Sequence, residues 1–336
     1  MLKVDTLNLS FLKTTPAPHL RDRRTSAWIM QQVLIALMIP TAGAVYFFGS
    51  RVFLILFVAI GSSVFFEYAY QKLIGRKVAV NDYSAVVTGW LIGLSLPATI
   101  PVWMIVLGSA FAIIVAKQMF GGIGKNPFNP AVSARILLVV LFYEEFIEFP
   151  APRGATDIFS SATPMNKLAN IAPGVDAVSS ATGADAEIPS LLDLFLGVNL
   201  GGNIGDTSAF LLILAFIYLV VQRIIEPHIP ILFILPVAII ALVSSGFDFE
   251  FMMQHILTGS LILAAVFMVT DYSSTPFNPG GKIIFAIGAG IITILLRFYS
   301  PYPGGVGFAI LIMNVFVPIL DRLCAPRIYG HKKRPI

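Results

Sequence analysis

TSAFLLILAFIYLVVQRIIEPHIPILFILPVAIIALVSS, residues 207–245, decides the fold. Two apolar runs, 207–225 and 229–245, flank a short polar turn around Glu226 and His228. Each approaches the roughly 20 mostly apolar residues that an α-helix needs to cross the hydrocarbon core of a bilayer. Reading outward, eight more stretches qualify: 28–48, 52–70, 84–99, 101–120, 132–148, 252–270, 282–298 and 306–321. The stretch 84–99 is short and interrupted by Gly89, Gly93 and Pro97, so a broken or tilted helix is expected there. The segment LLDLFLGVNL (191–200) is too short to span and reads as an interfacial or capping helix.

Composition agrees with this pattern. Hydrophobic residues make up 57% of the 336 residues and charged residues 12%, against about 45–50% and about 25% in a soluble domain. Mean hydropathy is +0.85. So few charges could not cover a soluble globule, which excludes a soluble enzyme, a disordered chain and a disulfide-stapled secreted domain. The expected fold is an all-α integral membrane protein with about ten transmembrane helices. It divides into a tail (1–27), a first group of five spans (28–148), a large loop (149–206), a second group of five spans (207–321) and a tail (322–336).

Ten spans put both termini on one side. With that side cytoplasmic, only Arg51, Arg153, Lys167 and Arg297 of the 22 lysines and arginines fall outside, and the other 18 fall inside. This asymmetry is the positive-inside signature, and it explains the net charge of +4 without nucleic acid. The first run lies behind 27 residues of polar and basic tail and lacks a small-residue cleavage pattern, so it reads as a retained span. The orientation exports loop 149–206, which carries Asp157, Asp176, Asp185, Glu187, Asp193 and Asp206. A loop this long is a functional element or a tether. Cys324 is the only cysteine, so no internal disulfide or cysteine-ligated cluster can form within one chain. The four histidines are scattered without metal-ligand spacing.

Two inner loops share a short sequence, NPFNP (126–130) and TPFNP (275–279), each between apolar runs. This points to a duplicated helix–loop–helix, of the kind that frames sites in transport proteins. The loop Gly121, Gly122, Gly124, Lys125, Asn126 and Asn129 lies at a membrane edge. Its glycines admit a ligand to the backbone and its amides can pair with a polar ring edge, although a tight turn between helices would use the same residues. It lacks the Gly-Lys-Ser/Thr ending of a phosphate-binding loop. VNDYSAVVTG (80–89) places Asp82, Ser84 and Thr88 near the membrane, either as a polar site or as a helix cap. Glu67, Lys117, His255, Asp271 and Asp321 lie in or at the ends of spans. Such groups are candidates for an ion path, or are helix-end charges that snorkel. The outer loop contains SSAT twice, in DIFSSATPM (157–165) and DAVSSATG (176–183).

With these segments in view, the chain resembles the D subunits of Rnf ion-translocating oxidoreductases, relatives of the B subunit of sodium-pumping NADH:quinone reductase. The resemblance runs through TPAPHLRD (15–22), VNDYSAVVTG, AKQMFGGIGKNPFNPA (116–131), the Asp157-to-Pro164 element, IGDTSAF (204–210) and PRIYGHKK (326–333). It implies a membrane electron carrier in a complex that couples electron transfer between ferredoxin and NAD to sodium or proton movement. It also implies a flavin mononucleotide (FMN) joined through its phosphate to a threonine of an S-x-A-T element. Thr163, with Ser160 and Ser161 beside it, and Thr182 both match that element. A second, non-covalent flavin, riboflavin, is implied near the cytoplasmic ends of the spans. Thr88, Lys125, Asn126 and Asn129 are the expected pocket, and Asp271 and Asp321 the ion-path candidates. The implied partners are the A, B, C, E and G subunits, with the FMN-bearing G subunit the nearest functional contact, together with membrane lipid. The implied location is the bacterial cytoplasmic (inner) membrane. With no Rossmann fingerprint, NAD binding is expected to fall to the neighbours.

Overall fold

The computed structural model describes residues 24–76, 78–146, 190–197, 202–300 and 305–325. The expected flavin-acceptor positions Thr163 and Thr182, with Ser160 and Ser161, lie outside the described residues. No named strand occurs among the described residues, only one isolated bridge between Pro97 and Asn203. The helices are α1 (Ser26–Phe48), α2 (Arg51–Leu73), α3 (Ser84–Ser95), α4 (Val102–Ala110), α5 (Pro130–Leu141) and α6 (Leu191–Leu196). They continue with α7 (Ala209–Val221), α8 (His228–Ser244), α9 (Phe249–Leu257), α10 (Leu261–Phe267), α11 (Pro279–Tyr299) and α12 (Val306–Leu323). The molecule is all-helical and has the character of an integral membrane protein. Among the described residues, α1, α2, α11 and α12 are long and apolar enough to cross a membrane, and the bent pair α9–α10 makes a fifth span if counted as one. The other apolar helices are shorter.

Two of the expected spans take a different form. Stretch 84–99 becomes the short α3, ending at Ser95, as its Gly and Pro content implied. Stretch 252–270 was expected to be continuous and is broken, with α9 and α10 bent by 55°. Gly259 and Ser260 adopt left-handed φ values of +71° and +60°, which stop a right-handed helix. The freed carbonyls are not left bare. Buried Arg297 of α11 donates to the main-chain oxygens of His255, Thr258 (2.9 Å) and Gly259 (3.3 Å). A guanidinium offers five donors in a fixed fork, so one side chain can close several carbonyls at a helix end. Arg297, counted by sequence as an outer charge, is therefore an internal cap, 1% exposed.

The motif shared by the two inner loops has a local physical meaning. In both copies the Asn sits at the N-cap and the following Pro at the first helical position, starting α5 at Asn129–Pro130 and α11 at Asn278–Pro279. Pro is favoured there because its missing N–H would have no partner anyway. Asn129 Oδ1 accepts from the amides of Ala131 (3.1 Å) and Val132 (3.2 Å). Pro40, Pro236 and Pro318 lie inside α1, α8 and α12, a usage that membrane helices tolerate.

Packing is tight where glycine removes a side chain. A Cβ on Gly89 of α3 would meet the main-chain oxygen of Ala59 in α2 at 2.5 Å, and one on Gly290 of α11 would meet the carbonyl of Phe233 in α8. Helix association in lipid depends on such close backbone approach. α1 packs on α7 as well as on α2 and α3, so the helices before and after the large loop form one bundle.

Candidate functional site

A cavity forms where α1, α3, α7 and α10 converge on the two inner loops. Its enclosed space is about 80 Å³, below the roughly 300–1,000 Å³ usual for a ligand pocket. Its walls are apolar, including Met30 and Val33 of α1, Val87 and Leu91 of α3, and Leu219 of α7. Ser84, Thr88, Lys117, Asn126, Asn129 and Asp271 supply polar groups at its edge. An apolar slot with a few convergent polar groups is the usual form of a small-molecule site.

Each polar residue is held by a specific local device. Thr88 Oγ1 donates to the main-chain oxygen of Ser84 (2.9 Å), and its side chain lines the cavity. Asn129 is occupied as a helix cap, and its Nδ2 donates to Asp271 Oδ2 (3.3 Å). Asn126 Nδ2 donates to the oxygen of Phe128 and to Ser273 Oγ, both at 3.0 Å, and its Oδ1 faces no donor among the described residues. Asn126 is thus the amide best able to accept from a ring N–H. Asp271 also accepts from Ser274 Oγ (2.8 Å) and Ser273 Oγ (3.1 Å). Burial pushes its carboxyl above the ordinary carboxylate value, and the two serines pull it partly back. Asn314 of α12 locks the loops from behind. In the amide orientation that satisfies both its groups, it donates to the oxygen of Ser274 (3.0 Å) and accepts from the amide of Asn129 (3.1 Å).

The structure brings together Thr88, Asn126, Asn129 and Asp271, which lie up to 183 positions apart in sequence (88 to 271). Two expected residues lie elsewhere. Lys125 is exposed and does not line the cavity. The left-handed glycines Gly122 (φ 93°) and Gly124 (φ 78°) turn the chain beside it, and its stem packs over Gly121. Asp321 is a strut, accepting at Oδ1 from the amide of Phe277 (2.9 Å), while its main-chain oxygen accepts from Asn278 Nδ2 (3.2 Å). It therefore holds the second Pro-Phe-Asn-Pro turn in place.

The least legible feature is a buried polar network beside the cavity. Glu67 of α2 is 1% exposed and Lys117 2%. Lys117 Nζ lies 2.9 Å from Glu67 Oε1 and 3.0 Å from Oε2. It also donates to Ser84 Oγ (2.7 Å), and Gln118 Nε2 donates to Glu67 Oε1 (2.6 Å). Both donors come from Phe111–Gln118, where α4 continues as a π-helix. The wider turn of a π-helix brings consecutive residues 117 and 118 onto one carboxylate. Gln71 completes the network, its Oε1 accepting from the amide of Ala79 (2.8 Å).

A second, larger cavity of about 680 Å³ adjoins the first. They share a wall of Ile224, Ile225, Thr270 and Tyr272, and Glu226 and Lys282, paired at 3.1 Å, line the second.

Comparison with known proteins bears on what such a site serves. A sequence profile of the NQR2, RnfD, RnfE family matches residues 13–330. The chain is 40% identical over 323 residues to the D component of the Na(+)-translocating ferredoxin:NAD(+) oxidoreductase complex of Acetobacterium woodii, covering 96% of each protein. It is 35% identical to the D component of the ion-translocating oxidoreductase complex of Stutzerimonas stutzeri, over 91% of this chain and 92% of that one. It is 33% identical to the corresponding protein of Vibrio cholerae, over 94% of this chain and 98% of that one. With the profile and these relatives spanning nearly its whole length, the chain belongs to the NQR2, RnfD, RnfE family.

Proposed function

We propose that the chain is the membrane electron-carrier subunit of an Rnf-type complex, coupling electron transfer between ferredoxin and NAD to sodium or proton translocation. Its relatives are subunits of ion-translocating oxidoreductase complexes, so the activity belongs to the assembly and not to this chain alone. In this reading the bundle has ten spans, lies in the bacterial inner membrane and keeps both termini in the cytoplasm. The loop 149–206 then carries covalent FMN on Thr163 or Thr182 outside, flanked in the first case by Ser160 and Ser161. The A, B, C, E and G subunits assemble around it, and electrons reach it from the flavin of the G subunit.

The observation that carries the reading is the cavity. Its apolar slot suits a flat ring system, and Asn126 Oδ1 is poised to accept from the polar edge of that ring. The chemistry of this lining matches riboflavin, which would supply one- or two-electron redox chemistry there once the mouth has opened to admit it. Thr88 and Asn126 orient the ring. Asn129 and Asp271 hold the loops that shape the slot, and Asp271 and Asp321 remain the ion-path candidates. The apolar walls exclude water and raise the effect of every nearby charge.

The test is flavin release from the purified complex after denaturation. Filling the slot with Val87→Trp removes the released flavin and leaves any covalent flavin in place. A parent complex that releases none, with all subunits present, contradicts the assignment.

A further inference from the structure

The turn between α7 and α8 keeps an arginine where a helix end favours glycine. At the close of α7 the amide of Arg223 donates to the oxygen of Val220 (2.9 Å), and that of Ile224 to the oxygen of Leu219 (3.0 Å). This pair of bonds needs a left-handed residue just past the helix, and glycine is usual there because it has no Cβ to clash. Arg223 takes the place at φ +55°. Backbone strain of this kind clusters at ligand-binding sites. The Arg223 side chain is exposed, makes no ion pair among the described residues, and lines the second cavity.

That cavity, of about 680 Å³, has the size of a ligand site. Its inner walls are apolar and buried, with Ile225, Ile229, Val269 and Phe285. Its rim carries Arg223, Lys282 and the single acid of the lining, Glu226. Glu226 is shared between Lys282 (3.1 Å) and His228 (3.4 Å), which commits it away from Arg223. Arg24, whose charge reaches the Tyr272 hydroxyl, adds a third cation nearby. Tyr272 and Phe277 are exposed and complete the rim. Val220 lies in the last turn of α7, Ile229 in the first turn of α8 and Lys282 in the first turn of α11. The cavity therefore opens at helix ends, the level at which a spanning bundle meets lipid headgroups and where basic and aromatic residues gather.

We propose that the second cavity binds an anionic phospholipid, with its phosphate held by Arg223 and Lys282 and an acyl chain laid against Ile225, Ile229 and Phe285. A soluble phosphate would use the basic rim and leave the apolar interior unfilled. A neutral lipid would fill the interior and leave Arg223 without a counter-charge. An anionic lipid satisfies both, as in other basic pockets between membrane helices. The site needs only that the chain lie in a membrane, and it stands apart from any ligand of the first cavity. A lipid seated here braces Ile224, Ile225, Thr270 and Tyr272, the wall that the two cavities share.

The experiment uses the intact complex in neutral detergent and a phosphatidylglycerol with a photoactivatable group in its acyl chain. Labelled positions are then mapped on peptides of this chain. Label is expected on the peptides that contain Ile225, Ile229 and Phe285, and far less from a phosphatidylcholine probe with the same acyl chain. At limiting probe, Arg223→Gly is expected to lower the label about fivefold, the scale of one basic group at an anionic lipid surface. Lys282→Gln lowers it likewise. Glycine suits the left-handed turn, so the Arg223→Gly complex is expected to unfold at or above the parent Tm, which separates lost binding from lost fold. Label confined to other peptides overturns the site, and so does label unchanged in both variants. Equal labelling by phosphatidylcholine overturns recognition of the charge. Competition by inorganic phosphate as strong as by unlabelled phosphatidylglycerol assigns the rim to a soluble phosphate and overturns the lipid.

Discussion

Lys117 and Glu67 lie 50 residues apart and meet inside the bundle. An ion pair withdrawn from water costs several kcal/mol in desolvation, offset only when partners saturate it. Here Ser84, Gln118 and Gln71 do so. Breaking such a pair from one side strands a charge. Lys117→Met is therefore expected to destabilise the protein by about 3–5 kcal/mol, and Lys117→Met with Glu67→Met to recover most of it, as read by thermal unfolding in detergent. Equal losses in the single and double variants would show that packing, not charge, dominates. The sequence marked both residues as ionisable groups near spans but could not pair them, because nothing local links positions 67 and 117. Asn126 and Asn129 were legible as a polar pair in a glycine loop. The division of labour between them was not, since it depends on Ser273 and Asp271 across the bundle. Lys125 looked equivalent in sequence and is turned outward by the glycines beside it.

Apolar runs are read from composition, and breaks in them from single residues. That is why 84–99 was legible as irregular, with two glycines and a proline, while 252–270 was not. In the second case the break rests on Gly259 and Ser260 in left-handed geometry and on Arg297, which comes from another helix. Arg297→Met is expected to release the carbonyls of Thr258 and Gly259 and to cost about 3 kcal/mol or more, since hydrogen bonds to charged groups are each worth about 1.5–3 kcal/mol. Hydrogen exchange should rise first at α9 and α10. Unchanged protection there would mean that the break is held by packing alone. Helix contacts follow the same logic at Gly290. Gly290→Leu must push α11 from α8, an overpacking cost of about 1–3 kcal/mol measurable as a lowered Tm.

At the scale of the molecule, orientation rests on the distribution of lysine and arginine. Lys117, Arg135 and Arg297 were counted with the loops or their flanks, yet Lys117 and Arg297 are buried and Arg135 donates to Ser260 Oγ at the helix break (3.2 Å). The asymmetry survives without them, because the tails and inner loops hold most of the remaining basic groups. An impermeant maleimide applied to intact cells should label Asn170→Cys in a Cys324→Ser background and leave native Cys324 unlabelled. The reverse pattern would invert the topology and move the large loop to the cytoplasm.

A redox role for this chain requires that it carry flavin. The direct measurement is peptide mass mapping of the chain, isolated under denaturing conditions from the complex purified from its native membrane, after the ultraviolet-fluorescent band has been located on a gel. The expected result is the added mass of FMN on the peptide with Thr163 or on the one with Thr182. A chain with no covalent flavin on either would contradict it and favour a transporter without a redox group.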